Sequence, residues 1–152
     1  MCMTAREEMD LLLRVTSQVA QKMLESGGLM HFGTVLGAKR DVQVLMPKSM
    51  TEKVAWRELA DYWKERIGTA SARMDWRAAA CSTFVRLLSG DDSFKASGLL
   101  IHVEHFEDQT GAEDITYEYE SSERGKITLQ EVTRASAGRW ISGNAQPSPI
   151  QQ

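Results

Sequence analysis

Apolar residues recur at steps of three and four along the first part of the chain. Met9 and Leu12 begin this spacing, which puts an apolar stripe along one side of an amphipathic helix. Thr4 and Glu7 form the S/T-x-x-E pattern of a capping box, which predicts where the helix begins. Two consecutive glycines would end it, because glycine readily adopts the left-handed conformation that closes a helix. The pattern predicts a helix over residues 5–26.

The next segment has the pattern of a β-hairpin followed by a second helix. Short apolar and β-branched runs at residues 29–36 and 42–46 flank a polar turn, as two paired strands would. Pro47 lacks an N–H group and ends the second strand. A further capping-box pattern begins at Ser49, and apolar residues at helical spacing follow it. We therefore predict a second helix over about 51–66.

The second half of the chain is dominated by alternation of apolar and polar residues. Residues 78–88 fit both a helical step and a strand, and their β-favouring composition decides for a strand. Residues 99–106, 115–120 and 127–132 read as three further strands joined by polar turns. The alternation of the last strand breaks phase at Val132, as a β-bulge would produce.

This order of elements predicts an α+β fold. Sequential strands joined by short turns pair antiparallel, so we expect an antiparallel sheet of about five to six strands with two helices packed on one face. Residues 1–134 would form a single domain, and residues 135–152 a flexible C-terminal tail rich in polar residues, glycine and proline. Within that tail Trp140 and Ile141 either stay loose or fold back onto the domain as a clip.

Composition narrows the class of protein. The chain has 152 residues and a net charge of −3 with both signs interspersed, so nucleic acid is not an expected partner. No apolar run is long enough to span a membrane, and the first residues do not resemble a signal peptide. The two cysteines, Cys2 and Cys81, lie far apart in the sequence, which favours a reducing, cytoplasmic compartment over a disulfide scaffold.

The candidate polar site consists of His31, His102, Glu104 and His105. In a strand His102 and Glu104 point to one face and His105 to the other, so this segment offers one ion at most one imidazole and one carboxylate. Zinc needs three or four protein ligands, and His31 could help only from a neighbouring strand. The alternative is polar residues on a solvated face with one histidine at a sheet edge. We therefore expect no metal and no cofactor.

Cys81 paired with His102 or His105 is the one arrangement that could supply an activated nucleophile, because a thiol needs a nearby base to become a thiolate. Three alanines precede Cys81, however, and small apolar neighbours suit a buried, inert thiol. The sequence contains no Gly-x-Ser-x-Gly elbow, phosphate loop or glycine-rich dinucleotide fingerprint.

Four residues are candidates for an interaction surface. Glu118 and Glu120 lie on the wet face of a predicted strand, which could receive a basic partner or could simply face solvent. Trp56 and Trp63 belong to the predicted second helix, where each could fill the core or remain exposed at an interface.

The hairpin at residues 32–44 behind a long first helix, together with residues 99–105 and 115–119, resembles small bacterial α+β proteins of unknown function. The resemblance covers roughly residues 9–132. It implies the fold and a bacterial origin, and it carries no catalytic signature.

Three functional hypotheses follow from these observations. The leading one is a protein-interaction or binding domain without catalytic activity, with a second copy of the chain or another protein as its partner. The second is a small-molecule-binding protein or enzyme with a pocket between sheet and helices, using His102, His105 and Cys81. The third is a metal-dependent role through His31 and the strand that carries His102.

Overall fold

The computed structural model of the chain describes residues 3–27, 31–47, 56–91, 93–108 and 111–147. Four parts of the sequence-based predictions lie outside these residues. They are the first two residues of the predicted hairpin, the capping box at Ser49, the start of the predicted second helix at residues 51–55, and the last five residues of the predicted tail.

The described residues form three α-helices, one π-helical turn and six strands. In chain order they are α1 (Ala5–Glu25), β1 (Phe32–Gly37), β2 (Val42–Leu45), α2 (Trp56–Trp63), a π-helical turn (Lys64–Gly68), α3 (Ser71–Met74), β3 (Trp76–Leu88), β4 (Phe94–His105), β5 (Ala112–Ser121) and β6 (Ile127–Ser136). The helix at Ser71–Met74 was not predicted, the strand predicted from residue 99 begins at Phe94, and the strand predicted to end at residue 132 ends at Ser136. None of the helices among the described residues is long and apolar enough to cross a membrane.

The strands form one antiparallel sheet in the order β2-β1-β3-β4-β5-β6. This confirms the predicted α+β class, including the strand assignment for the segment whose periodicity was ambiguous. The bulge in β6 is also confirmed. Thr116 of β5 lies opposite Thr133 and Tyr117 lies opposite Glu131, so Val132 is the extra residue.

Helix α1 begins and packs as its sequence predicts. The Thr4 hydroxyl accepts from the Glu7 N–H at 3.1 Å, and the Glu7 carboxylate accepts from the Thr4 N–H at 3.2 Å. Gly27, with φ of 84°, follows the last turn. The apolar stripe is buried against the sheet, where the Thr16 hydroxyl lies 2.7 Å from that of Thr34 on β1.

The two long helical segments lie on opposite faces of the sheet, whereas the sequence predicted one face. Ala78 and Ala80 of β3 belong to the core beneath α1, while Ala79 and Cys81 belong to the core beneath α2. Successive strand residues point to opposite faces, so we name these the α1 face and the α2 face. The central strands are apolar at both odd and even positions, so both faces must be covered.

Two residues of the segment predicted to be a flexible tail are packed against the domain. Strand β6 continues to Ser136, and Trp140 and Ile141 are 3% and 1% exposed within the core of the α2 face. Their two large apolar side chains bury enough surface to hold the chain there. The packed structure therefore extends beyond the predicted boundary at residue 134. We call residues 139–143 the C-terminal clip.

Candidate functional site

His102 of β4 lies on the α2 face with a carboxylate at each ring nitrogen. Its Nδ1 is 2.7 Å from Oδ1 of Asp114 on the neighbouring strand β5, and its Nε2 is 2.6 Å from Oε2 of Glu104. His102 and Glu104 are both 0% exposed. Burial acts to lower the pKa of His102, but the hydrogen bonds to Asp114 and Glu104 outweigh it and raise that pKa. The geometry suits an imidazolium that donates both N–H groups.

Glu104 also holds the C-terminal clip. Its Oε2 accepts from the Ile141 N–H at 2.7 Å, and its Oε1 accepts from the Ser142 N–H at 3.1 Å and the Ser142 hydroxyl at 2.7 Å. Burial would raise the pKa of Glu104, yet these bonds and the one from His102 lower it. We call His102, Glu104, Asp114 and Trp140 the His102 cluster.

Three further contacts close the clip over the cluster. The indole of Trp140 stacks on the His102 ring, with centroids 4.6 Å apart and planes inclined by 27°. Gly68, at the end of the π-helical turn, lies so close to the clip that an added Cβ would overlap the carbonyl oxygen of Ile141. Lys64 Nζ donates to the Gly143 carbonyl at 2.7 Å. The His102 cluster is thus an enclosed anchor for the clip.

Cys81 lies opposite His102 in the register of β3 and β4, on the same face. Burial, and then the negative charge of Glu104, raise the pKa of the Cys81 thiol well above its usual value of 9.0. A thiol that stays protonated is a poor nucleophile. The structure therefore brings together three of the residues considered for chemistry, Cys81, His102 and Glu104, but in a form that favours packing.

His105 lies on the α1 face, beside a buried carboxylate that the sequence analysis did not identify. Glu8 of α1 is 0% exposed. Its carboxylate binds Arg77 Nε at 2.6 Å, Arg40 Nε at 3.0 Å and His105 Nε2 at 3.0 Å. Burial tends to raise the pKa of Glu8, but Arg77 and His105 lower it. The sequence did contain one signal that Glu8 is buried. It stands four residues before Leu12, so the two residues lie on the same side of the helix, along the apolar stripe.

The other ring nitrogen of His105 determines its hydrogen-bonding role. Nδ1 accepts from the backbone N–H groups of Glu107 at 3.2 Å and Asp108 at 3.3 Å. An acceptor nitrogen carries a lone pair, so the ring proton is on Nε2, facing Glu8. His105 is 1% exposed and acts as a link between α1 and the loop after β4.

His31 lies beside Thr83 and Phe84 of β3, away from the His102 cluster and from Glu8. Its Nδ1 lies 2.7 Å from the Thr83 hydroxyl of β3, and its ring packs against Phe84 with centroids 6.0 Å apart. Among the residues that the structure describes, no three or more His, Cys, Asp and Glu side chains are grouped so as to hold a metal ion. The metal hypothesis based on His31 therefore has no site in that part of the chain.

The two tryptophans considered for an interface are core residues. Trp63 is 0% exposed and packs so closely on Gly33 that an added Cβ there would be 3.0 Å from the indole. Trp56 is 9% exposed and meets Trp140 edge-on, with centroids 5.6 Å apart. Both indoles are therefore part of the core on the α2 face.

The half of the α2 face formed by β5 and β6 is polar and open. Glu118 is half-buried and Glu120 is exposed, and with Thr128 and Gln130 of β6 they line a shallow depression. Within the described parts of the chain, neither carboxylate has a side-chain hydrogen-bond or ion-pair partner. This surface is wet, as the alternation predicted, and it leads directly to the outer strand.

Strand β6 forms the outer edge of the sheet. Helix α1 covers only its start, where Glu25 accepts from the Ile127 N–H at 3.0 Å and Gln21 donates to the Ile127 carbonyl at 2.6 Å. Every residue from Gln130 to Ser136 is exposed. The edge beyond Ile127 is therefore open to solvent over most of the strand.

Comparison with known proteins found no matching protein-family model, curated protein or solved structure.

Proposed function

We propose that this chain is a protein-interaction domain that binds an extended segment of a partner along strand β6. The observation that carries the proposal is the exposed outer edge of this ten-residue strand. An outer strand presents a row of backbone N–H and C=O groups, and an added strand can pair with all of them.

The backbone groups available for pairing follow from the hydrogen bonds at the two ends of β6. Lys126 faces β5, because its carbonyl accepts from the Ser122 N–H at 2.8 Å. Ala137 also faces β5, because its N–H donates to the Ala112 carbonyl at 3.0 Å. Alternation from these two positions points the backbone groups of Leu129 and Arg134 outward, on either side of the bulge. We call the outward backbone groups of residues 129–136 the β6 edge.

The opposite edge of the sheet is less suited to strand addition. Strand β2 has four residues and is followed by Pro47, which has no N–H to donate. The Met46 carbonyl between them already accepts from Arg66 Nη1 at 2.5 Å. These features favour β6 as the binding edge.

The enzyme alternative needs His102, His105 and Cys81 together in one accessible pocket. His102 and His105 lie on opposite faces and are 0% and 1% exposed. The raised pKa of Cys81 keeps its thiol protonated. An interaction role agrees better with this arrangement, since the enclosed groups stabilise the scaffold that carries the β6 edge.

A peptide selection tests the proposal. The protein is immobilised at low density, so that neighbouring copies cannot pair, and is probed with a phage-displayed library of random linear peptides. Arg134→Pro removes one outward N–H without removing a bond to β5, whereas Arg134→Ala removes the side chain and keeps the N–H. We expect selected peptides to bind Arg134→Pro at least about tenfold more weakly than Arg134→Ala, because both variants lack the charged side chain and only the proline lacks the N–H.

Two results would contradict this function. One is a selection that enriches no peptide over a control protein of similar net charge. The other is a set of selected peptides that bind Arg134→Pro as well as they bind the wild type, provided that thermal melting shows the variant to be folded.

A further inference from the structure

We infer that the partner of the β6 edge is a second copy of this chain, running antiparallel to β6 across a two-fold axis. This inference rests on the proposed function and names its partner. A two-fold axis pairs a surface with itself, so the β6 edge must be complementary to its own reversed sequence.

The charges near the middle of β6 have this property. The bulge at Val132 puts Glu131 and Arg134 on the same face, opposite Tyr117 and Ile115 of β5. Within one chain Arg134 Nη2 and Glu131 Oε1 are 2.7 Å apart, and the two side chains are 35% and 42% exposed. In an antiparallel pair the acidic position of each copy approaches the basic position of the other. One dimer therefore forms two such contacts between opposite charges.

Val132, one of the two residues between these charges, supports the same arrangement. Val132 is 43% exposed, which is unusual for a large apolar side chain among the described residues of this protein. A two-fold axis near Val132 and Thr133 brings the two valines together at the centre of the contact. The contact then has an apolar centre and charged flanks, as protein interfaces commonly have.

The extent of the contact is set by neighbouring groups. Helix α1 occupies the edge at Ile127, so pairing begins beyond it and runs towards Ser136. Glu118 and Glu120 stand one strand back from the edge, about 5 Å away across the sheet, and are not part of the contact. A strand pair of this length buries less than the roughly 1,200–2,000 Å² of a standard interface, so the dimer forms in the micromolar range or above.

A bulge and edge charges can also protect a monomeric protein against unwanted strand pairing. The two interpretations differ in one measurable respect. Protection gives a monomer at every concentration, whereas self-complementarity gives a dimer whose stability follows the sign of the charges at 131 and 134.

Charge exchange measured by sedimentation velocity tests the inference, with protein from about 5 μM to about 1 mM. Glu131→Arg makes the edge basic and Arg134→Glu makes it acidic, so each variant should self-associate about tenfold or more weakly than the wild type. The two variants mixed together should form a heterodimer. The double variant Glu131→Arg/Arg134→Glu should dimerise like the wild type. Glu120→Arg is the matched control, and it should leave dimerisation unchanged.

The inference is overturned by a wild type that remains monomeric throughout this range, by single reversals that dimerise normally, or by a mixture that does not associate. It is overturned equally by a Glu120→Arg variant that weakens the dimer as much as Glu131→Arg does. If the chain is monomeric while selected peptides still bind in an Arg134→Pro-sensitive manner, the proposed function stands and only the identity of the partner is wrong.

Discussion

Replacing Glu104 by glutamine removes one negative charge from the His102 cluster and almost preserves the shape of the side chain. Both carboxylate oxygens of Glu104 accept hydrogen bonds, with His102 and Ile141 at Oε2 and Ser142 at Oε1. A glutamine amide has one accepting oxygen and one donating NH₂ group. In either orientation of the amide, its NH₂ group therefore faces donors with which it cannot form a hydrogen bond. These are the His102 and Ile141 N–H groups in one orientation and the Ser142 N–H group in the other.

The size of the effect follows from these contacts. A hydrogen bond to a charged group contributes about 1.5–3 kcal/mol, and removal of one partner from a buried ion pair costs about 3–5 kcal/mol. His102 can respond by losing a proton while it keeps its contact with Asp114, which relieves part of the cost. We expect Glu104→Gln to lower the free energy of unfolding by about 3 kcal/mol at mildly acidic pH.

The effect should depend on pH in a defined direction. The pKa of His102 is raised from 6.5, so the stabilisation from its imidazolium is complete below pH 6.5 and is lost as the pH rises through the raised pKa. The pKa of Glu104 is lowered from 4.5, so its contribution is complete above pH 4.5 and is lost as the pH falls through the lowered pKa. The difference between wild type and Glu104→Gln is therefore greatest between pH 4.5 and 6.5 and shrinks on the alkaline side.

Urea unfolding followed by tryptophan fluorescence, at about pH 5.5 and about pH 9, measures this difference. Glu118→Gln is the control, because this half-buried carboxylate has no side-chain partner among the described residues and should change stability by less than about 0.5 kcal/mol. If Glu104→Gln is too unstable to purify, Ser142→Ala removes only the hydroxyl donor and should cost about 1 kcal/mol. A loss below about 1 kcal/mol for Glu104→Gln, or a loss that is the same at both pH values, would refute the role given to this cluster.

Three further predictions concern other parts of the structure. Glu8→Gln should lower the free energy of unfolding by about 3 kcal/mol in urea titrations, because it removes the buried carboxylate that binds Arg77 and leaves Arg77 paired with the exposed Glu107; a loss below about 1 kcal/mol would contradict this. Gly68→Ala should cost about 1–3 kcal/mol and shift the tryptophan emission, because the added Cβ must push away the Ile141 carbonyl; unchanged stability and emission would show that the clip is not held there. Cys81 should react with an aromatic disulfide reagent only as urea unfolds the protein, and rapid modification of the native state, mapped by mass spectrometry, would be inconsistent with its burial.

Local chemistry explains the features that the sequence predicted correctly. The capping box at Thr4 and the glycine at its far end act over one turn of helix, so they set the bounds of α1 without help from the rest of the chain. Alternation along β5 and β6 likewise depends only on neighbouring residues, and its break at Val132 is the bulge that the structure contains. The same rule placed His102 and Glu104 on one face of β4.

Tertiary packing decided which residues meet across the sheet. Asp114 reaches His102 only because β5 pairs with β4 in one register, and Glu8 reaches Arg77 only because α1 crosses β3. The face on which a helix packs depends on the connections between elements and on the total apolar surface of the sheet that must be covered. Neither factor can be read from the sequence of one helix. The four consecutive buried residues Ala78–Cys81 did carry a signal of two covered faces.

At the C-terminal clip, local sequence predicted one property and tertiary packing decided another. Composition correctly marks the region after β6 as polar, and the sequence left open whether Trp140 and Ile141 would fold back. Their burial depends on a space between α2 and β4 and on an acceptor, Glu104, more than thirty residues earlier in the chain. The sequence alone thus predicted helix α1, the strands and the alternation of faces along them, because these follow from contacts between near neighbours. The folded chain decided the opposite placement of the helices, the charge clusters and the clip, because these depend on contacts between residues far apart in sequence.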